Sequence, residues 1–447
     1  MGTYTKPYST HTSDRFEPLM PNLSNRFPMP VVGTKKSTKD SDQRAFHKRL
    51  KLLDKSMYIF VLLAAFVRKS APGSKRDKIG VIKLAAMGDA LCLLPSLREL
   101  KKAYPESKVI WLTTRRINPE FFTSLPFIDQ FYVITPSIRG LLALLFFLWK
   151  NPVDVTVDFD QYYLSSELMA FLWGRGNSIG YHTPLKGRSF ALPVEYDPQN
   201  NERLMFYDLV LALQGRLEQR SLYYKKFSLF VPEILDGYVP SPDIERLINS
   251  IRKDGPMVAI YPGAGLGASF RRWGIEKYIE VAKKCIESGC TIVFLGGKDE
   301  EEYKKVISQS LSSWNGWHDL IGSCSLRDTA YVISRAAVII SNDGGLLHFC
   351  HLFGTPCVSI FGPGIGIKWA PMTDSILVEH NGLPCKPSYF VPPERKGLAR
   401  KAKKQPKKTP RRYQIFNPGY LHVGIKLLGA IGGTALSSTL PRVAPLG

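Results

Sequence analysis

Short apolar, β-branched runs alternate with segments of helical length along the body of the chain. This alternation predicts strands and helices in turn, and therefore parallel sheets that are covered by helices on both faces. In the first half, strands are predicted at residues 78–84, 108–112, 130–134 and 153–158. A helix is predicted after the first strand and reaches residue 103; Pro95 either opens its regular part or kinks it.

The pattern restarts after a proline-bearing connection at residues 232–242. Strands are predicted at residues 257–261 and 291–295, with a helix at 275–288 between them and a capped helix start at Ser325 to Asp328. Residues 338–364 (VIISNDGGLLHFCHLFGTPCVSIFGPG) then predict a strand, a glycine loop, a helix at 346–353 and a strand at 358–361. We predict an α/β fold of two doubly wound, Rossmann-like domains that face each other across a cleft.

The remaining residues predict two appendages. The predicted divisions are a disordered arm with a short basic and apolar helix (1–76), a first Rossmann-like domain (77–236), a second Rossmann-like domain (237–390), and a basic tail with one last helix at residues 419–429 (391–447).

The formal net charge of +22 is concentrated at the two ends of the chain. Residues 1–80 hold 16 Lys and Arg against 6 Asp and Glu, and residues 391–447 hold 12 against 1. Because the body between them is nearly neutral, a basic-tailed nucleic-acid-binding protein is a weaker alternative, and we expect no specific nucleic-acid partner. An anionic membrane surface is a better match for the basic ends.

The 7 cysteines contain no C-x-x-C pair, which favours a reducing compartment. We found no apolar run long enough to span a bilayer, so the pattern predicts a cytoplasmic protein that is peripheral on the inner face of the inner membrane. Two shorter apolar segments each have two interpretations. Residues 57–67, flanked by cations, predict either a helix in a membrane interface or a helix packed on the first domain. Residues 141–149 predict a buried helix or a membrane-facing wedge.

Candidate binding residues gather where strands end, because ligands of doubly wound sheets lie beyond the carboxyl ends of the strands. Glycine backbone approaches a phosphate closely, a helix start offers unpaired N–H groups, and arginine matches phosphate oxygens. An acidic side chain after a strand can accept from ribose hydroxyls. The predicted donor-binding residues are Gly263, Arg271, Arg272, Asp299, Glu300, Asn342, Asp343, Gly344, Gly345 and His348.

The first domain offers Asp89 at a similar loop end. It either caps the helix or takes a proton from an attacking hydroxyl, and we predict it as the catalytic residue. Asp158 and Asp160 form a D-x-D pair, which binds a divalent metal in one glycosyltransferase fold, but nothing else in the chain predicts that fold. We therefore expect no metal site and no cofactor.

Four groups of motifs, in this order, resemble the ADP-heptose:lipopolysaccharide heptosyltransferases of glycosyltransferase family nine. The resemblance covers residues 78–390 and rests on these motifs: VIKLAAMGDA at 81–90, YPGAG at 261–265 with RRW at 271–273, FLGG at 294–297 with the following acids, and SNDGG at 341–345 with His348, GTP at 354–356 and FGP at 361–363.

The resemblance implies a GT-B fold and a role for each motif. Asp89 is similar to the family's base on the acceptor hydroxyl, and Arg271 stands where the family usually has a lysine that contacts the donor phosphates. The loop from Asp343 to His348 is similar to the one that holds the donor sugar and diphosphate, and Asp299 or Glu300 is similar to the ribose ligand. Two positions depart from the family: Gly344 replaces a small hydroxyl residue, and Gly274 replaces a proline.

The resemblance thus implies an inverting, metal-independent glycosyltransferase. It would move heptose or a related sugar from a nucleotide-diphospho-sugar, with ADP-heptose as the first expectation, to a hydroxyl of a lipopolysaccharide-core or related surface glycan. The expected partners are that donor, a glycolipid or glycan acceptor, and an anionic membrane surface. The alternative keeps the fold and uses a different nucleotide sugar for another polysaccharide or glycoprotein.

Overall fold

The computed structural model describes residues 54, 57–67, 71–135, 137–265 and 268–379. The predicted disordered arm before residue 54, the basic tail at 391–447 and its last helix lie outside the described residues. Among the residues that are described, no helix combines the length and apolar character that crossing a membrane requires.

The first domain is built on a six-stranded, fully parallel sheet. Its strands are β1 (Lys78–Ile82), β2 (Lys108–Thr114), β3 (Gln130–Ile134), β4 (Val155–Asp158), β5 (Ser178–His182) and β6 (Leu192–Glu195). Its helices are α1 (Tyr58–Phe66), α2 (Met87–Ala103), α3 (Ile138–Lys150), α4 (Leu164–Trp173), α5 (Glu202–Leu213) and α6 (Arg220–Tyr224). The central strands β1 and β4 are buried almost throughout, which is why they are apolar without alternation.

The second domain repeats this architecture with another six-stranded parallel sheet. Its strands are β7 (Met257–Tyr261), β8 (Thr291–Phe294), β9 (Trp317–Asp319), β10 (Val338–Asn342), β11 (Cys357–Phe361) and β12 (Ser375–Glu379). Its helices are α7 (Pro242–Asp254), α8 (Ile275–Glu287), α9 (Glu302–Ser310), α10 (Leu326–Arg335), α11 (Phe349–Phe353) and α12 (Gly366–Trp369). The Ser325 hydroxyl accepts from the Asp328 N–H at the start of α10, as the capping pattern predicts.

Both sheets have the same strand order. The first runs β3-β2-β1-β4-β5-β6, and the second, counted from β9, runs β9-β8-β7-β10-β11-β12. The order reverses between β1 and β4 in one domain and between β7 and β10 in the other, and doubly wound sheets bind ligands at such switch points. The predicted fold class is confirmed, and its switch points lie next to the predicted site residues.

The observed elements differ from the predicted ones in a few places. The segment predicted as a helix at 346–353 begins as a 3₁₀ turn (Gly345–His348) and becomes α-helical only in α11. The hydrophobic pattern gave no prediction of β5, β6, β9, β12 or α5. Helix α3, predicted as a buried helix or a wedge, buries only one stripe of its surface, through Leu144 and Leu148.

Pro95 lies inside α2 and contributes to the contact between the domains. A proline has no N–H to donate to the carbonyl four residues earlier, which here belongs to Leu91. His351 of the second domain places its Nε2 atom 3.4 Å from that carbonyl oxygen. Nearby, the rings of Phe121 and Phe349 meet edge to face with centroids 5.7 Å apart. The domains are therefore packed together where side chains of α11 meet the backbone of α2 and the ring of Phe121.

Candidate active site

Asp89 lies in the first turn of α2, directly beyond the carboxyl end of β1. Its Oδ2 atom is 3.0 Å from Nζ of Lys83, and its side chain is 26% exposed. Burial raises the pKa of the Asp89 carboxyl, while the Lys83 ammonium lowers it in part. A carboxylate with a raised pKa is a stronger base than an ordinary aspartate, so its position and its chemistry both suit proton abstraction.

Lys83 is fully buried and also contacts Asp160, whose Oδ1 atom is 3.0 Å from Nζ. Burial disfavours its ammonium, but the carboxylates of Asp160 and Asp89 outweigh that cost, so its pKa is raised and it stays charged. The other acid of the D-x-D pair, Asp158, is 2.6 Å from Nζ of Lys186, and burial raises its pKa to about 6. Each acid of the pair is thus held by its own lysine.

Gly88 brings the first domain into close contact with the second. A Cβ atom at this position would lie 2.7 Å from Cδ2 of His348 and 3.4 Å from Cα of Gly345. Such distances leave no room for a side chain, so only glycine lets the start of α2 approach the Gly345–His348 turn this closely. The contact puts Asp89, the next residue, beside that turn.

His348 is held in one tautomer by an arginine that the sequence did not single out. Its Nδ1 atom is 2.9 Å from Nη2 of Arg203 in α5. An arginine can only donate, so Nδ1 accepts and the ring proton is assigned to Nε2. Burial, followed by the charges of Arg203 and Arg271, lowers the pKa of His348 well below its usual value, so the ring is neutral. His348 therefore presents an N–H donor beside Gly88.

The start of α5 contacts the second domain at several points. Asn201 donates to the carbonyl oxygens of Ile367 and Ala370, at 3.1 and 3.2 Å. Nζ of Lys368 lies 2.7 Å from Oε2 of Glu202, and both side chains are buried. A signal for this role does exist in the sequence, because charged residues open a helix whose later residues are apolar apart from Asp208. In the structure this helix is buried along nearly all of its length.

Asn342 connects the loops of the second domain. Its amide donates to the carbonyl oxygens of Pro262 and Gly263, at 2.7 and 3.1 Å, and its oxygen accepts from the Trp273 N–H at 3.0 Å. The side chain is fully buried. It was predicted as a donor-binding residue, and the structure shows that its amide fixes the shape of the loops instead of pointing out of them.

The predicted glycines lie where these loops pack tightly. A Cβ at Gly263 would be 2.3 Å from Oε1 of Glu300 and 2.6 Å from the Tyr261 ring, and a Cβ at Gly344 would be 2.9 Å from the same ring. Gly345 is different, since the nearest atom to its Cβ position is the Gly88 nitrogen at 4.0 Å. Two of the glycines are thus required by their neighbours, and the third leaves open space at the junction of the domains.

Arg271 lies beside Asp343, with Nη1 3.2 Å from Oδ2. Asp343 is almost completely buried, and the pKa of its carboxyl is raised. Burial is the main cause; the Arg271 guanidinium lowers this pKa in part, and the charge of Asp89 adds to the increase. Gly88 packs against the Gly345–His348 turn that follows Asp343, so Asp89 and Asp343 lie on the two sides of the same junction. Arg271, Asp343, His348 and Asp89 are therefore brought together.

Arg272 and the two acids after β8 form a separate group. Arg272 is 3.4 Å from Glu300 and 3.0 Å from Glu302, and its guanidinium lies over the Tyr303 ring. Glu300 is buried and also accepts from the Gly297 N–H at 2.9 Å, whereas Asp299 is exposed. Arg272 is thus held at the loop after β8, whereas Arg271 contacts Asp343 at the start of the glycine loop, where an anion is predicted to bind.

Comparison with known proteins bears on this arrangement. Residues 207–393 match the family model described as Glycosyltransferase family 9 (heptosyltransferase). This part of the chain is similar to glycosyltransferase family 9. The match includes every predicted donor-binding residue, while Asp89 lies before it. The predicted resemblance to this family is confirmed.

One curated relative is lipopolysaccharide heptosyltransferase 2 of Escherichia coli (strain K12), to which this chain is 30% identical over 116 residues. That alignment covers 26% of this chain and 33% of the relative, so the chain matches about a third of the relative's length.

Solved structures extend the comparison to both domains. A glycosyl transferase family 9 protein from Veillonella parvula superposes with a TM-score of 0.57 at 16% identity, covering 81% of this chain and 99% of that one. The structure of E. coli heptosyltransferase WaaC with ADP gives a TM-score of 0.52 at 16% identity, covering 72% and 99%. At these identities the likeness shows the fold, which is the GT-B arrangement that the family 9 resemblance implied.

Proposed function

We propose that this protein is an inverting glycosyltransferase that moves a heptose from ADP-heptose to a hydroxyl of a lipopolysaccharide-core acceptor. The observation that carries the proposal is the contact of Gly88 with His348 and Gly345. It places a half-buried aspartate of one domain beside the glycine loop of the other, as a reaction between an acceptor on one domain and a donor on the other requires. The match of residues 207–393 to the family 9 model supports the same conclusion.

On the donor side, the diphosphate would lie at the start of the Gly345–His348 turn. The open space at Gly345 leaves room for it, and unpaired N–H groups at a helical start attract anions. Arg271 would contact the phosphate oxygens, and the Nε2–H of neutral His348 would donate to the sugar or the diphosphate. A family 9 relative with ADP in its solved structure supports a nucleoside diphosphate as the ligand.

On the acceptor side, Asp89 would take the proton of the attacking hydroxyl. The oxygen forms the new bond to the anomeric carbon, and the bond from that carbon to the diphosphate oxygen breaks. The electron pair leaves with the nucleoside diphosphate, so one displacement inverts the configuration. The leaving charge would be stabilised by Arg271 and His348 without a metal ion, since hydrogen-bond donors fixed in place can supply this stabilisation.

The direct test is turnover with a defined donor and acceptor. Purified protein with ADP-heptose should release ADP only when a lipopolysaccharide-core acceptor is present, and a chelator should leave the rate unchanged. The anomeric coupling of the product, measured by NMR, should report inversion. Release of ADP at the same rate without an acceptor would contradict transfer, and loss of activity on chelation would contradict metal independence.

A second candidate keeps the mechanism and changes the donor sugar nucleotide. It is favoured by Gly344, where the family's small hydroxyl residue would place its Cβ 2.9 Å from the Tyr261 ring. The loop is therefore packed for glycine and lacks that hydrogen bond to the donor. A thermal-shift comparison of ADP, UDP and GDP separates the candidates, because ADP-heptose transfer predicts the largest stabilisation by ADP.

A further inference from the structure

Two helices of the first domain are apolar on more sides than the core can cover. Neither α1 nor α3 contains an Asp or Glu residue. Helix α1 buries one stripe through Val61 and Ala64, and α3 buries one through Leu144 and Leu148. A helix with one apolar stripe would present polar side chains on its other side, and these two do not.

Their outer sides carry large apolar side chains at matching positions. Both sets follow the spacing i, i+4, i+7, which places each set on one helix face. Phe66 is 87% exposed and Trp149 is 73% exposed, so these faces are not covered by other parts of the described structure. We call the two faces together the apolar surface; its main residues are Ile59, Leu63, Phe66, Leu142, Phe146 and Trp149.

The two faces belong to the same side of the first domain. Both α1 and α3 pack against α4. Asp54, just before α1, accepts from the Leu164 N–H at the start of α4, and Phe147 of α3 lies 5.9 Å from the Trp173 ring at its end. Helices α2 and α5 pack on each other and contact the second domain. Right-handed crossovers put α2 and α3 on opposite faces of the sheet, so the apolar surface faces away from the second domain.

Cations border this surface. Nζ of Lys150 lies 5.6 Å from the centre of the Phe146 ring, and the guanidinium of Arg188 lies 5.1 Å from the Tyr58 ring. In the sequence, Arg68 and Lys69 follow α1 directly. An apolar strip with basic borders is complementary to lipid tails beneath anionic headgroups. A symmetric contact with a second copy would instead bring the same cations together.

We infer that the apolar surface binds an anionic lipid bilayer, with α1 and α3 lying in the plane of the interface. The helices have 9 and 13 residues, fewer than the roughly 20 that a spanning helix needs, so they would rest in the bilayer surface. The basic ends of the chain add electrostatic attraction to the anionic bilayer, but the contact of the apolar surface with the bilayer is still required. The inference concerns a face remote from the candidate active site, so it stands or falls separately from the proposed reaction.

The test is vesicle flotation of the full chain, without donor or acceptor. Vesicles of phosphatidylcholine mixed with phosphatidylglycerol should bind the protein, and phosphatidylcholine alone should bind it more weakly. The paired changes Leu63→Glu with Phe66→Glu, and Phe146→Glu with Trp149→Glu, should each weaken binding by about tenfold or more. The matched control changes two exposed apolar residues elsewhere, Leu222→Glu and Val239→Glu, and should bind as the unchanged chain does.

A second measurement keeps the inference testable if a paired variant fails to fold. Lipids brominated on the acyl chain should quench the tryptophan fluorescence of the unchanged chain more than that of Trp149→Phe. Three results would overturn the inference: full vesicle binding by the folded paired variants, equal quenching in Trp149→Phe, or a stable dimer in solution that the paired changes dissociate while vesicle binding persists.

Discussion

The two domains share one strand order, yet the chemistry at their switch points is opposite. Beyond β1 and β4, the first domain has buried charged side chains, with Lys83 3.0 Å from both Asp89 and Asp160. Beyond β7 and β10, the second domain has glycines, and Gly263 and Gly344 are held so tightly that a Cβ atom would collide with neighbours. One fold thus supports two kinds of site.

The difference follows from what each half has to do. Moving a proton needs a side chain that titrates, and a buried ammonium beside a carboxylate controls that titration. Holding a diphosphate needs close approach of backbone N–H groups, which a side chain would prevent. In the proposed function, the first domain therefore carries out proton transfer and the second binds the anion. Each of these two roles can be tested alone.

The largest effect is expected for Asp89→Asn. This change removes the base and keeps the shape of the side chain, so turnover should fall about a thousandfold. ADP binding, measured by thermal shift, should remain, because the donor is assigned to the other domain.

The matched control is Asp77→Asn, which alters an exposed aspartate at the start of β1. It should leave turnover unchanged. Near-normal turnover in Asp89→Asn would remove proton transfer from the first domain.

A smaller effect is expected for Arg271→Ala, which removes the cation beside Asp343. Loss of one fixed donor to a developing charge should lower turnover about a hundredfold, with weaker ADP binding. Arg271→Lys keeps the charge and should recover most of the loss.

Arg246→Ala, at an exposed arginine of α7, serves as the control. If Arg271→Ala and Arg271→Lys were equally impaired, the charge would not be what matters at this position.

Gly263→Ala tests the close packing of the second switch point. The added Cβ meets Glu300 and the Tyr261 ring, so the loop must move, and the donor KM should rise about tenfold with less effect on kcat. Gly73→Ala is the matched control, since its nearest neighbours lie 3.9 Å away. A kcat effect without a KM effect would mean that this loop acts in the chemical step.

Lys83→Met should change the pH profile more than the maximal rate. The Lys83 ammonium lowers the pKa of Asp89, so its removal raises that pKa further. A base works only when deprotonated, and the acidic limb of kcat/KM should therefore move to higher pH. Lys150→Met, which removes a cation remote from Asp89, should leave the limb in place. A limb that moved to lower pH would show that another group controls it.

Local sequence patterns were enough to predict much of this molecule. Central strands such as β1, β7 and β10 are buried on both faces, and their continuous apolar runs are easy to recognise. The edge strands β9 (WHD) and β12 are only half buried and mix polar with apolar residues, so no clear period marks them. Burial alone does not decide which strands the pattern detects, since the half-buried edge strand β3 was predicted and the largely buried β5 was not.

The site was predictable where it depends on loops and not where it depends on domain packing. Asp89, Gly263 and the residues from Asp343 to His348 follow strands directly, which is a local signal. Arg203 meets His348 across 145 positions of sequence, and only the docking of the two domains brings them together. Asn342 was predicted in the right place, but its role in fixing the loops depends on neighbours far along the chain.

The contact between Arg203 and His348 also makes the position of the domains sensitive to protons. Burial and the Arg203 guanidinium keep the imidazole neutral while α5 is docked on the second domain. A separation of the domains would hydrate the ring and remove that cation, so its pKa would rise toward the ordinary value near neutrality. Below the ordinary histidine pKa, opening is then accompanied by proton uptake, so mild acid favours the open molecule. Above that pKa the ring is neutral in both states, and this histidine no longer shifts the balance between them.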